Sequence, residues 1–549
     1  MHNQWKLVDS IHNTYFQHTT DCERYKIVVD KLEIIEDNFD FNQFGDSSTA
    51  KVDKYMVLDL QEKIDHYAKS LISILKNRIM FEQEKRQVLS QLDDNVYINI
   101  YMTGDLSNNL KKLQSYLIET IKDLEGYSNI DIDYSMEDIN ELYMSDKKLN
   151  PLDYMDIYPM WIKDSQKINK TYPYAVIHYK ERTLPILLYN KFIPIKNDTL
   201  NDLSDKDLEQ NWSEIEHNLI EAIYLLKEEK KKKIAFLQGH GELDSINTYD
   251  IRNTLSHFYQ VEPFDLTEFF VDKNGDPDIN KQINRIKNYK VVIIAKPTIS
   301  FSDLDKFIID QYIMSGGKVI WMLEGTTADM NNFNGKSNFV IKERNLSIND
   351  LLSNYGAKIE YNLIEDKVCN KSPVTINNEI AYIDWKYNPK LIADSNNIIN
   401  NGVESMLTNF VSSITILNKD KTTTLLTSSN QSKISNLGKL VKIEPFMTVK
   451  ADNKNHVVGV LIEDEFKSFF YNYTSDIELD IIKRSKKNKM IIISDGDIIK
   501  NRFSPPNIIY PLGYCSFERN IFEGNTNFIL NAVQFLCEDS ILINLKYKK

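Results

Sequence analysis

The chain has 549 residues, 42% of them hydrophobic and 11% aromatic, and a formal net charge of −13. That length and apolar content support two to four domains with real cores and exclude wholesale disorder. The acidic balance makes nucleic acid a poor partner, because affinity for phosphate backbones comes mainly from Lys and Arg.

Residues 1–90 form a first segment of helical periodicity. Leu60, Ile64, Tyr67, Leu71 and Ile74 fall on one face, as in an amphipathic helix that packs on another. The stretch before it, "DNFDFNQFGDSSTAKVDK", reads as a polar linker. The start of the chain has no apolar h-region, so no signal peptide is expected. No stretch approaches the roughly 18 apolar residues of a spanning helix.

Residues 91–231 read as an α/β unit. "VYINIYMT" predicts a strand, and a helix follows with Leu110, Leu113, Leu117, Ile121 and Leu124 on one face. "IDIDYS" predicts a second strand. After a polar excursion, "YPYAVIHYKERTLPILL" predicts two strands with a turn at Glu181 and Arg182, and a long helix closes the unit. The order β-α-β, β-β-α, with Pro173 before the third strand, predicts a thioredoxin-like domain. No dithiol follows the first strand, where "MTGDLSNN" stands instead. The unit is therefore expected to be a scaffold.

Residues 232–549 read as a second α/β domain. Strands "IAFLQ", "VEPFDL", "KVVIIAKP" and "KVIWMLEG" alternate with helices, which predicts a doubly wound parallel sheet of flavodoxin- or amidotransferase-like kind. Ser302 and Asp305 predict a capping box, and Gly316 with Gly317 a helix stop. Residues 326–485 are Asn-rich and are expected to form an insertion with short strands "SITIL", "TTLLTSS" and "HVVGVLI". The sheet is expected to resume at "KMIIISDGDIIKN", and the chain to close with helix "TNFILNAVQFLCED".

Ligands of an open parallel sheet sit beyond the carboxyl ends of its strands. Those ends carry Gly239, His240, Gly241, Glu242, Asp265, Lys296, Glu324, Asp495 and Asp497, which are expected to share one crevice rim. The "GHGE" loop lacks the third glycine of a dinucleotide fingerprint, since Asp244 stands there, and its acids would repel phosphate. It reads as a turn, with His240 exposed and unpartnered. "SDGD" offers carboxylates to Mg²⁺, but a capping loop fits it better. "NGKS" at residues 334–337 lacks the leading glycine of a phosphate loop, because Met330 stands there. Cys22, Cys369, Cys515 and Cys537 have no metal-ligand or dithiol spacing. No catalytic residue, cofactor or metal is expected. Two further classes stay open: a hydrolase or transferase using Glu242, Asp495 and Asp497 with His240, and a module binding a small molecule or glycan.

Five segments together resemble a known family. "KKKIAFLQGHGELD", "VVIIAKPTISFSDLDKFIIDQYIMSGGKVIWMLEG", "NHVVGVLIEDEFKSFF", "IIISDGDIIKN" and "FEGNTNFILNAVQFLCEDS" are similar to the GldG family of gliding-associated ABC transporter components of Bacteroidota, from about residue 85 onward. The resemblance implies a domain class shared with intraflagellar transport proteins and similar to glutamine-amidotransferase folds, without their catalytic Cys. It implies a non-catalytic auxiliary or substrate-binding subunit with an ABC permease and a separate ABC ATPase as partners. It also implies association with the inner membrane at its periplasmic face, anchored at both ends. Here the charged residues 56–80 stand where an N-terminal anchor is expected, and the chain ends at "NLKYKK". The expectation is that the anchors are truncated or lost.

Overall fold

The computed structural model describes residues 81–138, 157, 160–164, 167–188, 201–202, 205–271, 275–333, 336–376, 379–442, 450–473, 481–504 and 508–546. The predicted helical face of Leu60, Ile64, Tyr67, Leu71 and Ile74 lies outside these residues, as do Cys22 and the first half of "NGKS". Residues 84–547 form one compact unit.

The first sheet contains β1 (Val96–Ile100), β2 (Ile132–Met136), β3 (Tyr174–Tyr179) and β4 (Arg182–Leu187), in the order β2-β1-β3-β4. β1 and β2 are parallel, and the other two pairings are antiparallel. Helix α1 (Asn108–Glu125) links β1 to β2, and α2 (Asp205–Lys227) follows β4. α1 starts where the Ser107 hydroxyl accepts from the Leu110 amide, satisfying a donor that has no partner inside the helix. Its buried stripe is the predicted one of Leu110, Leu113, Leu117, Ile121 and Leu124, extended by Thr120. Pro173 directly precedes β3. The β3–β4 turn falls at Lys180 and Glu181, one residue earlier than expected. The polar excursion holds a small sheet of its own, built from Met160–Asp164, Lys167–Thr171 and Asn201–Asp202.

The second sheet has eight strands. In chain order they are β5 (Lys233–Gln238), β6 (Gln260–Asp265), β7 (Val291–Ala295), β8 (Lys318–Met322), β9 (Ile392–Ala393), β10 (Thr422–Thr427), β11 (Val457–Lys467) and β12 (Arg484–Ile493). In space they run β9-β10-β11-β12-β8-β7-β5-β6. β12, β8, β7, β5 and β6 are mutually parallel, and β11, β10 and β9 continue antiparallel. The class is α/β and the sheet is mixed.

The apolar runs are continuous because both faces of the sheet are covered. Successive residues feed opposite cores. Ile234, Phe236, Val291, Ile293, Ile320, Ile491 and Ile493 pack on one side, with α3 (Tyr249–Phe258) and α6 (Gly524–Leu536). Ala235, Leu237, Val292, Ile294, Trp321, Met490 and Ile492 pack on the other, with α4 (Ile279–Ile286) and α5 (Asp303–Met314). α5 carries the predicted capping box of Ser302 and Asp305, and Gly316 follows its end at φ +100°.

The expected insertion over 326–485 is corrected in part. β9, β10 and β11 come from that segment and pair into the sheet, and they turn a parallel sheet into a mixed one. The physical reason is the edge of β12. Left unpaired, it would expose a row of backbone donors and acceptors, and the long β11 run "VVGVLIEDEFK" covers it. Of the rest, Phe333, Ile341, Trp385, Tyr387 and Phe410 belong to a smaller core of their own, while Leu351, Leu352, Ile399 and Val411 pack into the cores on the sheet's two faces.

Candidate functional site

From β5 the chain pairs with β6 on one side, then crosses to β7 on the other. Strand order therefore reverses between β5 and β7, where an open α/β sheet has its natural ligand crevice. The loop after β5 is Gly239 to Glu242, and the loop after β7 begins at Lys296.

The two loops are stitched together. The amides of Thr298 and Ile299 both donate to the His240 carbonyl at 2.8 Å, and the Leu243 amide donates to the Ala295 carbonyl. Gly239 and Gly241 take φ of +116° and +68°, as the turn reading required. A Cβ on Gly241 would stand 2.2 Å from the Thr298 hydroxyl, so the approach of the two loops demands glycine as well.

His240 corrects the sequence reading: it is buried and partnered, not exposed. The two left-handed glycines fold the loop back and drive its ring under the start of α5. There it stacks on Phe301, centroids 4.0 Å apart, with Nε2 3.0 Å from the Asp305 carboxylate. Asp305 also closes the capping box with Ser302. Burial works against its charge, but the bonds from His240 and Ser302 outweigh it and hold the carboxyl below its ordinary range. Glu242 turns back on its own loop and accepts from the His240 amide at 2.8 Å. Burial pushes its carboxyl upward. Asp244, not Glu242, prepares the next helix by accepting from the Asn247 amide.

Lys296 is buried and left-handed, at φ +54°. Its ammonium lies 2.6 Å from Asp497, 3.5 Å from Asp329 and 3.8 Å from Glu324. Burial opposes the charge, yet Glu324 and Asp497 overcome it and hold the lysine above its ordinary pKa. Glu324 lies two residues past β8 and accepts from the Gly496 amide at 2.9 Å. Burial drives its carboxyl well above the usual range, against the pull of Lys296. Asp495 accepts from the amides of Asp497 and Asn409, and the short helix Asp497–Ile499 begins at Gly496 with no side-chain cap. Burial, followed by the charge of Asp497, raises Asp495 to about 7.

This chemistry is that of an internal charge cluster. Oxygens of Glu324, Asp495 and Asp497 lie within 4.8 Å of one another, a set that suits a hard divalent ion. The Lys296 ammonium already stands against these acids as their counter-cation. Held protonated, it is not a nucleophile. His240 is within reach of Asp305 and near Glu242, but no hydroxyl or thiol meets its Nδ1, which has no hydrogen-bond partner. Burial raises the thiols of Cys369 and Cys537 to about 11 and about 12, which removes them as nucleophiles near neutral pH.

The structure thus gathers Lys296, Glu324, Asp495 and Asp497 into one cluster and Gly239 to Glu242 into an adjoining loop. Asp265 stands beside the same loop, its carboxylate oxygen 3.0 Å from where a Cβ on Gly239 would lie, and accepts from the Thr267 amide beyond β6. The exposed part of the edge is Gly239, Gly241, Thr298, Ile299 and Ser300, of which the sequence did not single out the last three. Asp329 and Asn409 were also missed. Both lie in the Asn-rich segment, more than 80 residues from Asp497, with no spacing that marks them.

The fold and the closed, charge-compensated edge define an α/β protein with no assembled catalytic group at its ligand crevice among the described residues. The model of the family described as "ABC-type uncharacterized transport system" matches residues 231–532, more than half of the chain, and the chain belongs to that family. Its role is accordingly that of a transport-associated auxiliary component. Residues 81–178 match a domain of unknown function, DUF7088. No curated protein matches the chain. Among solved structures it is similar to "mmIFT52 N-terminal domain", at 12% identity and TM-score 0.33, over 56% of this chain and 97% of that one. No described helix is long and apolar enough to cross a membrane.

Proposed function

We propose that the chain is a non-catalytic subunit of an ABC transporter complex linked to gliding motility or secretion, of the GldG kind. It works at the periplasmic face of the inner membrane, beside a permease and a separate ATPase. The observation that carries this reading is the closed crevice between β5 and β7. Where an enzyme of this topology would open a pocket, His240 is bonded to two amides of the facing loop and Lys296 is neutralised by acids. The surviving surface, Thr298 to Ser300 over the rim of Gly239, His240, Gly241, Glu242, Lys296, Glu324, Asp495 and Asp497, suits contact with a protein partner or a glycan better than turnover.

The same reading divides the chain at about residue 231. The strand order β2-β1-β3-β4, with α1 and α2, supports a thioredoxin-like scaffold. No cysteine occurs between Cys22 and Cys369, so that unit has no disulfide chemistry of its own. The parallel order β6-β5-β7-β8-β12 supports a flavodoxin- or amidotransferase-like second domain. Affinity purification of the chain from its native membrane tests the function. A permease and an ATPase recovered with it support the proposal, and recovery of the chain alone overturns it.

A further inference from the structure

We propose that Lys386, Lys433 and Lys439 form a binding site for one phosphate group, as inorganic phosphate or a phosphate monoester. The three lysines come from separate places in the chain. Lys386 lies in the strand Glu379–Pro389, Lys433 in the strand Ser432–Asn436, and Lys439 just after the turn at Leu437 and Gly438. They converge on Glu365. Its strand, Asn362–Asp366, pairs antiparallel with Ser432–Asn436 and sets Glu365 directly opposite Lys433. The site shares no residue with the crevice between β5 and β7.

Positive charge is in surplus here. The Lys439 ammonium lies 2.6 Å from one Glu365 oxygen, and those of Lys386 and Lys433 lie 3.0 and 3.5 Å from the other. Glu365 is buried, and burial opposes its charge, but Lys439, Ser435 and Lys386 overcome it and hold the carboxyl at about 2. It therefore carries one negative charge at neutral pH, and one lysine would neutralise it. Among the described residues no other carboxylate pairs with these three ammoniums. Three positive charges meet one negative, although Lys386 is itself buried. Burial holds Lys386 below the ordinary lysine pKa, and the charges of Lys439 and Lys433 push the same way against the pull of Glu365. A bound anion relieves that repulsion.

Hydrogen-bond donors are in surplus too. The hydroxyls of Ser435 and Tyr387 also donate to the Glu365 oxygen that faces Lys439. Three ammoniums and two hydroxyls thus point at one carboxylate, which offers about four lone-pair sites. Each ammonium carries three hydrogens, and only Lys439 has a second acceptor, the Ser435 hydroxyl at 2.8 Å. A brace for the strands needs one such lysine, not three. What the cluster lacks is a ligand with several acceptor oxygens and more than one negative charge. A phosphate group carries about −1.5 to −2 near pH 7 and three strong acceptor oxygens, and lysine binds it as a point charge. A carboxylate, with a single charge, would leave the cluster positive. Lys386 is buried while the side chains of Lys433 and Lys439 reach solvent, so the anion enters past the outer two.

Calorimetry on the full chain in phosphate-free buffer of low ionic strength, titrated with inorganic phosphate near neutral pH, tests the site. We expect one saturable equivalent and a raised melting temperature. Lys433→Gln and Lys439→Gln change part-exposed side chains and should leave the fold intact by circular dichroism, while each weakens phosphate binding about tenfold, the loss of one charge-assisted contact. Glu365→Gln separates binding from bracing. It removes the one negative charge and nearly keeps the shape, so it should tighten phosphate binding even where it lowers the melting temperature. Vesicles of phosphatidylcholine with and without phosphatidic acid separate the sources: cosedimentation only with phosphatidic acid supports a lipid headgroup, and phosphate binding without cosedimentation supports a soluble phosphate. No saturable phosphate binding by the wild type, or binding unchanged in both lysine variants, overturns the proposal. So does a folded Glu365→Gln chain that binds phosphate more weakly than the wild type.

Discussion

Replacing Lys296 by Met keeps most of the side-chain bulk and removes the charge, so it isolates the cluster's electrostatics. At an effective dielectric of about 20, the 2.6 Å pair with Asp497 carries about 6 kcal/mol of attraction before desolvation is subtracted. Removing one partner of a buried pair typically costs about 3–5 kcal/mol, because the other charge is left uncompensated. Protonation gives a second route to the magnitude. Without the ammonium, one carboxylate of the cluster escapes by taking up a proton. At about 1.36 kcal/mol per pH unit above an ordinary aspartate pKa of about 3.9, that costs about 4 kcal/mol at pH 7 and about 1.5 kcal/mol at pH 5. The sign follows from linkage. A carboxyl whose folded pKa is raised binds its proton more tightly in the native state, so stability is lost as pH rises through that pKa. Urea denaturation of variant and wild type at both pH values measures the difference. The double variant Lys296→Met with Asp497→Asn has one charge fewer to neutralise and should lose less than Lys296→Met alone at pH 7. Equal losses at pH 5 and pH 7, or a double variant worse than the single, would refute the reasoning.

Two more outcomes follow from the loops. His240→Ala should destabilise by about 2–3 kcal/mol, since it removes a buried ring, its stack on Phe301 and its bond to Asp305; a loss below about 0.5 kcal/mol in urea melts would restore the exposed-turn reading. Gly316→Ala, in open space at φ +100°, should cost about 1–2 kcal/mol of backbone strain alone. Gly241→Ala should cost clearly more, because its Cβ also meets Thr298, and equal losses would remove the overlap argument.

Local signals determined much of this protein. The strands of the second sheet were legible because burial on both faces demands unbroken runs such as "VVIIA". α1 and α5 were legible because their caps at Ser107 and Ser302 and their apolar spacing are written within a few residues. The positive φ of Gly239 and Gly241 was legible because only glycine takes those angles freely. Even the gathering of Lys296, Glu324, Asp495 and Asp497 followed from one rule, that parallel strands end on the same edge. What the tertiary structure alone decided were contacts between segments far apart in the chain. His217 Nδ1 finds its partner in the Leu545 carbonyl, 328 residues away. Asp329 and Asn409 reach Lys296 and Asp497 from a segment without periodicity. β11 joins the sheet because β12 has an open edge, which no property of its own residues announces. His240 reads as a loop residue from its neighbours in sequence, and its burial comes from Phe301 just before α5 and Asp305 in the first turn of α5. Pairing and charge compensation are properties of distances in space, and a sequence specifies those only through the whole fold.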